Sequence, residues 1–247
     1  MSRAETLALV GAVGGAGTTR LCVEFAAVLA RDGHDVAVFD AAYATQGLAD
    51  HLEGRIDPDV TALCTDASEQ PVEAGLYDAH LDASGRVAYC PALAPFERVA
   101  RAKTPEAARR FTERVAAAAE TFEYVLLDVP PVAANQSLAA VDAADRVAVV
   151  TPDTDRGADA LPRMVARLRD VDSPATVEVV NRGDGSAVDR ATVVVPEGPT
   201  AVSAAPAALA DGSFTVGVGR AVQEVLETEL SVNLADMRPP GLRERFL

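Results

Sequence analysis

The stretch that most limits how this chain can fold is Gly11–Gly17 (GAVGGAG), with glycine at 11, 14, 15 and 17. It joins an apolar run, Thr6–Val10 (TLALV), to a helical pattern from about Thr18 to Arg31. Leu21, Phe25, Val28 and Leu29 give that helix one apolar face, and Gly33 suits its C-terminal stop. Glycines let the backbone turn tightly and aim successive N–H groups at an anion. The helix N-terminus adds about half a positive charge at the same point. Strand, glycines, the paired Thr18 and Thr19, then amphipathic helix is the order that a phosphate-cradling P-loop requires. A strand that runs straight into a helix is also how a parallel sheet with crossover helices begins.

The rest of the chain continues that alternation. Asp35–Asp40 (DVAVFD), Val87–Cys90 (VAYC), Tyr124–Asp128 (YVLLD), Arg146–Thr151 (RVAVVT) and Thr176–Val180 (TVEVV) read as strands, with Thr192–Val195 a further candidate. Runs apolar at every position fit strands covered by helices on both faces. Thr104 and Pro105 open a helix as N-cap and first residue, with Ala108, Phe111, Val115, Ala118 and Phe122 recurring on one face. Arg220–Leu230 is expected to be the final helix, and Gly183–Ser186 and Gly198–Gly219 are expected to be loops. The fold class is α/β, a doubly wound and mostly parallel sheet. At 247 residues, 49% of them apolar, the chain suffices for one such domain over 1–247, with 232–247 as a short tail.

Composition narrows the setting. Asp plus Glu total 37 against 22 Lys plus Arg, for a net charge of −15, and Lys103 is the only lysine. Such a chain repels phosphate backbones and is expected to be a poor general binder of nucleic acid. Carboxylate excess with almost no lysine resembles proteins of salt-loving archaea, whose surfaces stay hydrated in concentrated salt. The salt-adapted reading is the favoured one, with a GC-rich genome that encodes Arg for Lys and Ala freely as the alternative. No run of eighteen apolar residues occurs, and Met1–Ala12 does not read as a signal peptide, so the expected location is cytoplasmic. Cys22, Cys64 and Cys90 form no close pair and read as small buried hydrophobes, while His34, His51 and His80 are scattered.

Several segments together resemble the ParA/MinD superfamily, whose deviant Walker A loop reads K-G-G-x-G-K-T-T. The loop Val13-Gly14-Gly15-Ala16-Gly17-Thr18-Thr19 is followed by a strand ending at Asp40, where the family has D-x-D. Gln46-Gly47-Leu48, with Leu52 and Gly54, is similar to the segment after it, and Val87–Pro91 to a strand ending in proline. Tyr124–Pro131 (YVLLDVPP) is very similar to the Walker B region. Asn181-Arg182 is similar to an N-R pair whose Asn recognises adenine, and Val194–Glu197 (VVPE) to a later V-x-P-E/D segment. The resemblance implies ATP and Mg²⁺ as cofactors. Nucleotide would touch Gly14, Gly15, Ala16, Gly17, Thr18, Thr19, Asp128, Asn181, Arg182 and Pro196. Thr19, Asp128 and Asp40 would hold the metal. Protein partners and a homodimer are also implied.

The departures set the functional expectation. Val13 stands at the signature lysine, Thr18 at the Walker A lysine and Ala42 at the second acid of D-x-D, so the family's catalytic positions hold neutral residues. A charge-assisted hydrogen bond contributes about 1.5–3 kcal/mol. Losing the lysine at position 18 therefore weakens ATP binding by roughly ten- to a hundredfold. Hydrolysis suffers more, because it depends on positive groups and a placed water. The expected function is thus ATP binding without effective hydrolysis, in a regulator or scaffold of spatial organisation (division site, chromosome, pilus or motility positioning). The loop also resembles that of TadZ/CpaE-like proteins, which replace the Walker lysine. Two rivals stand beside it: a slow ATPase in which Arg20 or a partner supplies charge, and a scaffold that binds no nucleotide.

Other features have plainer readings. Arg98, Arg101, Lys103, Arg109, Arg110 and Arg114 form a basic cluster, expected to be a solvated helix face rather than a docking face. Asp153 and Asp155 follow a strand near the expected crevice, with helix capping the plainer role for Asp155. The tail Gly241–Leu247 is similar to the short membrane tail of MinD proteins. It buries little apolar surface, and Glu244 opposes anionic lipid, so membrane binding is the weaker reading.

Overall fold

The computed structural model describes residues 4–188 and 191–234. Eight strands form one sheet: β1 (Glu5–Gly11), β2 (Val36–Asp40), β3 (Tyr77–Asp78), β4 (Val87–Cys90), β5 (Tyr124–Val129), β6 (Arg146–Pro152), β7 (Val177–Asn181) and β8 (Val193–Val195). Their order is β3-β4-β2-β5-β1-β6-β7-β8, all parallel except the edge pair β3–β4. The helices are α1 (Thr18–Arg31), α2 (Val60–Leu63), α3 (Phe96–Ala102), α4 (Pro105–Ala118), α5 (Asn135–Asp142), α6 (Asp155–Asp170) and α7 (Ser213–Leu226).

Strand alternation sorts the core into two layers. Leu7 and Leu9 of β1, with Val36 and Val38 of β2, face α1 and α7. Ala8, Val10, Ala37 and Phe39 point the other way, into the layer built from α4, α5 and α6. There Phe111 stands edge-on to Phe39 and Tyr43, at centroid distances of 6.1 and 6.5 Å. Both faces of the sheet are therefore covered, which is why its strands carry apolar residues at consecutive positions. The three cysteines are buried and free, as their apolar surroundings suggest.

Local signals explain most boundaries. Thr104 caps α4, its Oγ1 accepting the Ala107 N–H at 3.3 Å, and Pro105 occupies the first turn, where no N–H is needed. Replacing Thr104 by alanine is expected to cost about 1 kcal/mol, read as a lower urea midpoint with an unchanged slope.

Three expectations are corrected. The last helix begins at Ser213 and ends at Leu226, not Arg220–Leu230, so part of the supposed 198–219 loop is helical. Its glycines serve close packing: a Cβ on Gly217 would lie 2.3 Å from Pro196 Cδ, and one on Gly219 2.4 Å from Leu234 Cδ2. The helix stops where Glu227 turns left-handed, at φ 48°. Thr154, not Asp155, caps α6, its Oγ1 accepting from the Gly157 N–H at 3.2 Å. Asp153 accepts backbone N–H groups of Asp184, Gly185 and Ala187 and so shapes the turn after β7. The basic cluster is mostly internal bracing. Arg98 pairs with Asp59 and Asp66, and Arg101 forks onto Asp66 at 2.8 and 2.9 Å. Arg114 donates to the carbonyls of Leu63 and Ser68. These arginines fasten residues 59–68 to α3 and α4.

Among the described residues no helix is long and apolar enough to cross a membrane. The tail reading at Gly241–Leu247 lies outside the described residues.

Candidate functional site

The site forms where β1 gives way to α1, at the carboxyl ends of the parallel strands. The Ala12 N–H donates to the Val150 carbonyl at 2.8 Å, fixing the start of the loop to β6. Gly15 and Gly17 then take φ of 81° and 88°, left-handed values that side chains resist. Gly17 is the N-cap of α1 and supplies no capping side chain. Among the described residues, the N–H groups of Gly14, Gly15, Gly17, Thr18 and Thr19 have no protein acceptor. They are the open donors that an anion would satisfy.

Beneath the loop lie two carboxylates. Asp40 and Asp128 are in register at the ends of neighbouring strands β2 and β5, and both are wholly buried. Thr19 Oγ1 donates to Asp128 Oδ2 at 2.5 Å, while Asp128 Oδ1 is buried with no partner among the described residues. Asp40 accepts the N–H of Ala42 at 2.7 Å on one oxygen and that of Ala92 at 3.3 Å on the other. Burial, reinforced by the charge of Asp128, pushes Asp40 up to about 8. Burial likewise raises Asp128 to about 6, against the pull of the Thr19 and Thr18 hydroxyls.

Above the loop opens a cleft of about 440 Å³, within the range of small-molecule sites. Gly14, Gly15, Gly17, Thr18, Thr19, Asn181 and Arg182 line it. Val13 and Ala42 also line it and bring no charge. Ala16 is buried at the back, and its carbonyl accepts from Asn181 Nδ2 at 2.9 Å. Asp40 and Asp128 stay under the floor. Pro196 is not brought to the cleft: it packs on Gly217 of α7.

Two walls were not apparent from sequence. One is the 3-10 turn Gly47–His51, whose Gly47 lies against Thr19. Burial and the nearby Arg20 hold the His51 imidazole below its usual value. The other wall is Gly198–Thr200 with Val202 and Phe214. Arg20 and Glu24 anchor the chain behind it. Arg20 Nε donates to Glu24 at 2.5 Å, and its other nitrogens to the carbonyls of Ala201 at 3.0 Å and Ala204 at 3.3 Å. Glu24, wholly buried, also accepts the N–H groups of Ala207 and Ala208 at 3.0 and 2.7 Å. The i,i+4 spacing of Arg20 and Glu24 was the available signal, but nothing in it pointed to residues about 180 positions away.

The donor set fits a magnesium nucleotide in part. The loop offers open N–H groups, and Thr19 with the unpartnered oxygen of Asp128 offers oxygen ligands. Among the described residues no group of three or more His, Cys, Asp or Glu could hold a metal alone. A magnesium ion here would need a ligand's own phosphates, as such ions usually do. The positions that would supply lysine charge do not fit.

No protein-family model matches the chain, and no curated protein matches it. Solved structures do. The MinD cell division protein of Aquifex aeolicus is 20% identical and superposes with a TM-score of 0.74, over 93% of this chain and 100% of that one. A septum site-determining protein MinD from Pyrococcus horikoshii, complexed with Mg-ADP, gives 17% and 0.66 over 79% and 82%. An ATP complex of a single-residue variant of Cyanothece McdA gives 18% and 0.69 over 94% and 100%. The fold is that of the MinD and ParA P-loop structures.

Proposed function

We propose that this chain is a ParA/MinD-type protein that binds ATP with Mg²⁺, turns it over poorly, and acts through protein partners in spatial organisation. The observation that carries the reading is the set of open N–H groups at Gly14, Gly15, Gly17, Thr18 and Thr19 above the Thr19–Asp128 pair, beside neutral Val13, Thr18 and Ala42. Neighbours of the same fold that hold Mg-ADP and ATP support the choice of ligand.

In this reading the loop N–H groups and the α1 N-terminus bind the phosphates. Thr19 Oγ1 and Asp128 hold Mg²⁺, with Asp40 behind them, and the ion neutralises phosphate charge. Asn181 orders the loop through Ala16 and borders the adenine end. Hydrolysis lacks the family's two lysines and second acid, and Arg20, the residue beside the loop, is spent on Glu24 and the 201–204 carbonyls. The whole chain acts as one domain, in the cytoplasm of a salt-adapted cell, and its subgroup is the TadZ/CpaE-like one. A homodimer is its working assembly.

The test is calorimetric titration with ATP and Mg²⁺ in molar KCl. Wild type is expected to saturate below millimolar ATP, and Thr19→Ala to bind at least about tenfold more weakly. No heat from folded wild type at millimolar ATP overturns the reading. Robust turnover that Thr19→Ala abolishes would overturn the claim of poor hydrolysis alone.

A further inference from the structure

Two arginines line the cleft, and only one is committed. Arg20 is fixed on Glu24 and on backbone carbonyls. Arg182, exposed at the mouth, forms no side-chain hydrogen bond or ion pair among the described residues. Its backbone is unusual for a non-glycine residue, with φ of 62°, and its N–H donates to the Val195 carbonyl at 3.0 Å.

That backbone turn has a directional effect. Along an extended strand Asn181 and Arg182 would face opposite sides of the sheet. Here both reach the same face of Gly17. A Cβ placed on Gly17 would lie 2.5 Å from Asn181 Nδ2 and 2.9 Å from Arg182 Nη2. A left-handed residue that is not glycine costs of order 1 kcal/mol or more, and its result is a guanidinium against the phosphate loop. The electrostatics are then unresolved without a ligand. A full positive charge sits beside the positive end of α1, with no carboxylate paired to it. An anion between them would satisfy both.

We infer that Arg182 is the cation that recognises the nucleotide's phosphate groups in this chain, taking over the charge that Thr18 does not supply. The inference rests on the proposed nucleotide reading and deepens it. The ligand class is a nucleoside polyphosphate, and the guanidinium is a binding group here, not a catalytic residue. Its planar fork suits two phosphate oxygens at once.

The experiment titrates ATP with Mg²⁺ into wild type, Arg182→Gln and Arg182→Lys in molar KCl, each first shown folded by thermal melting. The expected result is saturable binding by wild type, a loss of about ten- to a hundredfold in Arg182→Gln, and recovery of at least half of that loss, on a logarithmic scale, in Arg182→Lys. Arg182→Gln binding within twofold of wild type overturns the inference and leaves the nucleotide reading standing. So does a lysine variant as weak as the glutamine one, which would mean that shape against Gly17 matters and charge does not. Absence of binding by wild type sinks the nucleotide reading itself, and Arg182 with it.

Discussion

Replacing Glu24 by alanine is expected to lower the stability of this protein by about 3–5 kcal/mol, the usual cost of stranding the partner of a buried ion pair. Glu24 is wholly buried, and the Arg20 side chain is only 14% exposed. The carboxylate also receives two backbone N–H groups, from Ala207 and Ala208, which would be left without an acceptor. For a chain of this size that corresponds to a fall of about 6–20 °C in Tm. Glu24→Gln keeps the shape and one carbonyl acceptor, so it should lose less. Urea unfolding in molar KCl separates the cases, and a loss under about 1 kcal/mol for the alanine variant would show that residues 201–208 are anchored some other way. Because those residues back one wall of the cleft, ATP affinity should fall in the alanine variant even under conditions where it stays folded.

The second large effect is a dependence of stability on pH, in which Asp40 has the larger share and Asp128, raised to about 6, the smaller. Asp40 is buried and faces Asp128, and its carboxyl is pushed from an ordinary 3.8 up to about 8. The folded chain therefore holds this proton more tightly than the unfolded chain does. Its contribution is fully present below about pH 4 and is withdrawn as pH rises through 8. Asp40 alone supplies a slope of at most about 1.4 kcal/mol per pH unit. Without magnesium, then, unfolding free energy should decline between about pH 5 and pH 8, and Asp40→Asn should flatten that decline. Its absolute stability is a separate matter, since an amide nitrogen facing the Ala42 or Ala92 N–H is unfavourable. Parallel slopes for wild type and variant across this window would refute the assignment.

How far the sequence spoke depended on the range of the physics involved. β4 at Val87–Cys90, α1 at Thr18–Arg31 and the Thr104–Pro105 start of α4 were legible to the residue, because apolar runs, caps and prolines act locally. The glycine loop was legible for the same reason. The C-terminal helix was misplaced because Gly217 and Gly219 read as loop formers, while their use is to admit Pro196 and Leu234, contacts that no local pattern records. The acidic Asp59 and Asp66 that absorb Arg98 and Arg101 lie more than thirty residues from them, so the basic cluster read as solvated. At the site, Gly14, Gly15, Gly17, Thr18, Thr19, Asn181 and Arg182 line one cleft and Pro196 does not, while nothing local in Gly198–Val202 marked it as a wall.

The Arg20–Glu24 anchor also has a consequence for how the protein is made. The loop and α1 are synthesised before the groups that cover them: Asn181 and Arg182 follow more than 160 residues later, and the 201–208 segment about 180. At ordinary synthesis rates of about 5–20 residues per second, the glycine loop waits roughly 10–40 s for its covering groups. During that interval Glu24 has Arg20 as a helical neighbour but none of its long-range N–H donors. β1 and β2 cannot join one sheet until β5 at Tyr124–Val129 is inserted between them, so neither the central sheet nor the cleft forms from the first segments alone. The cleft is therefore completed late and in steps, first by Asn181 and Arg182 and then by the 198–208 segment.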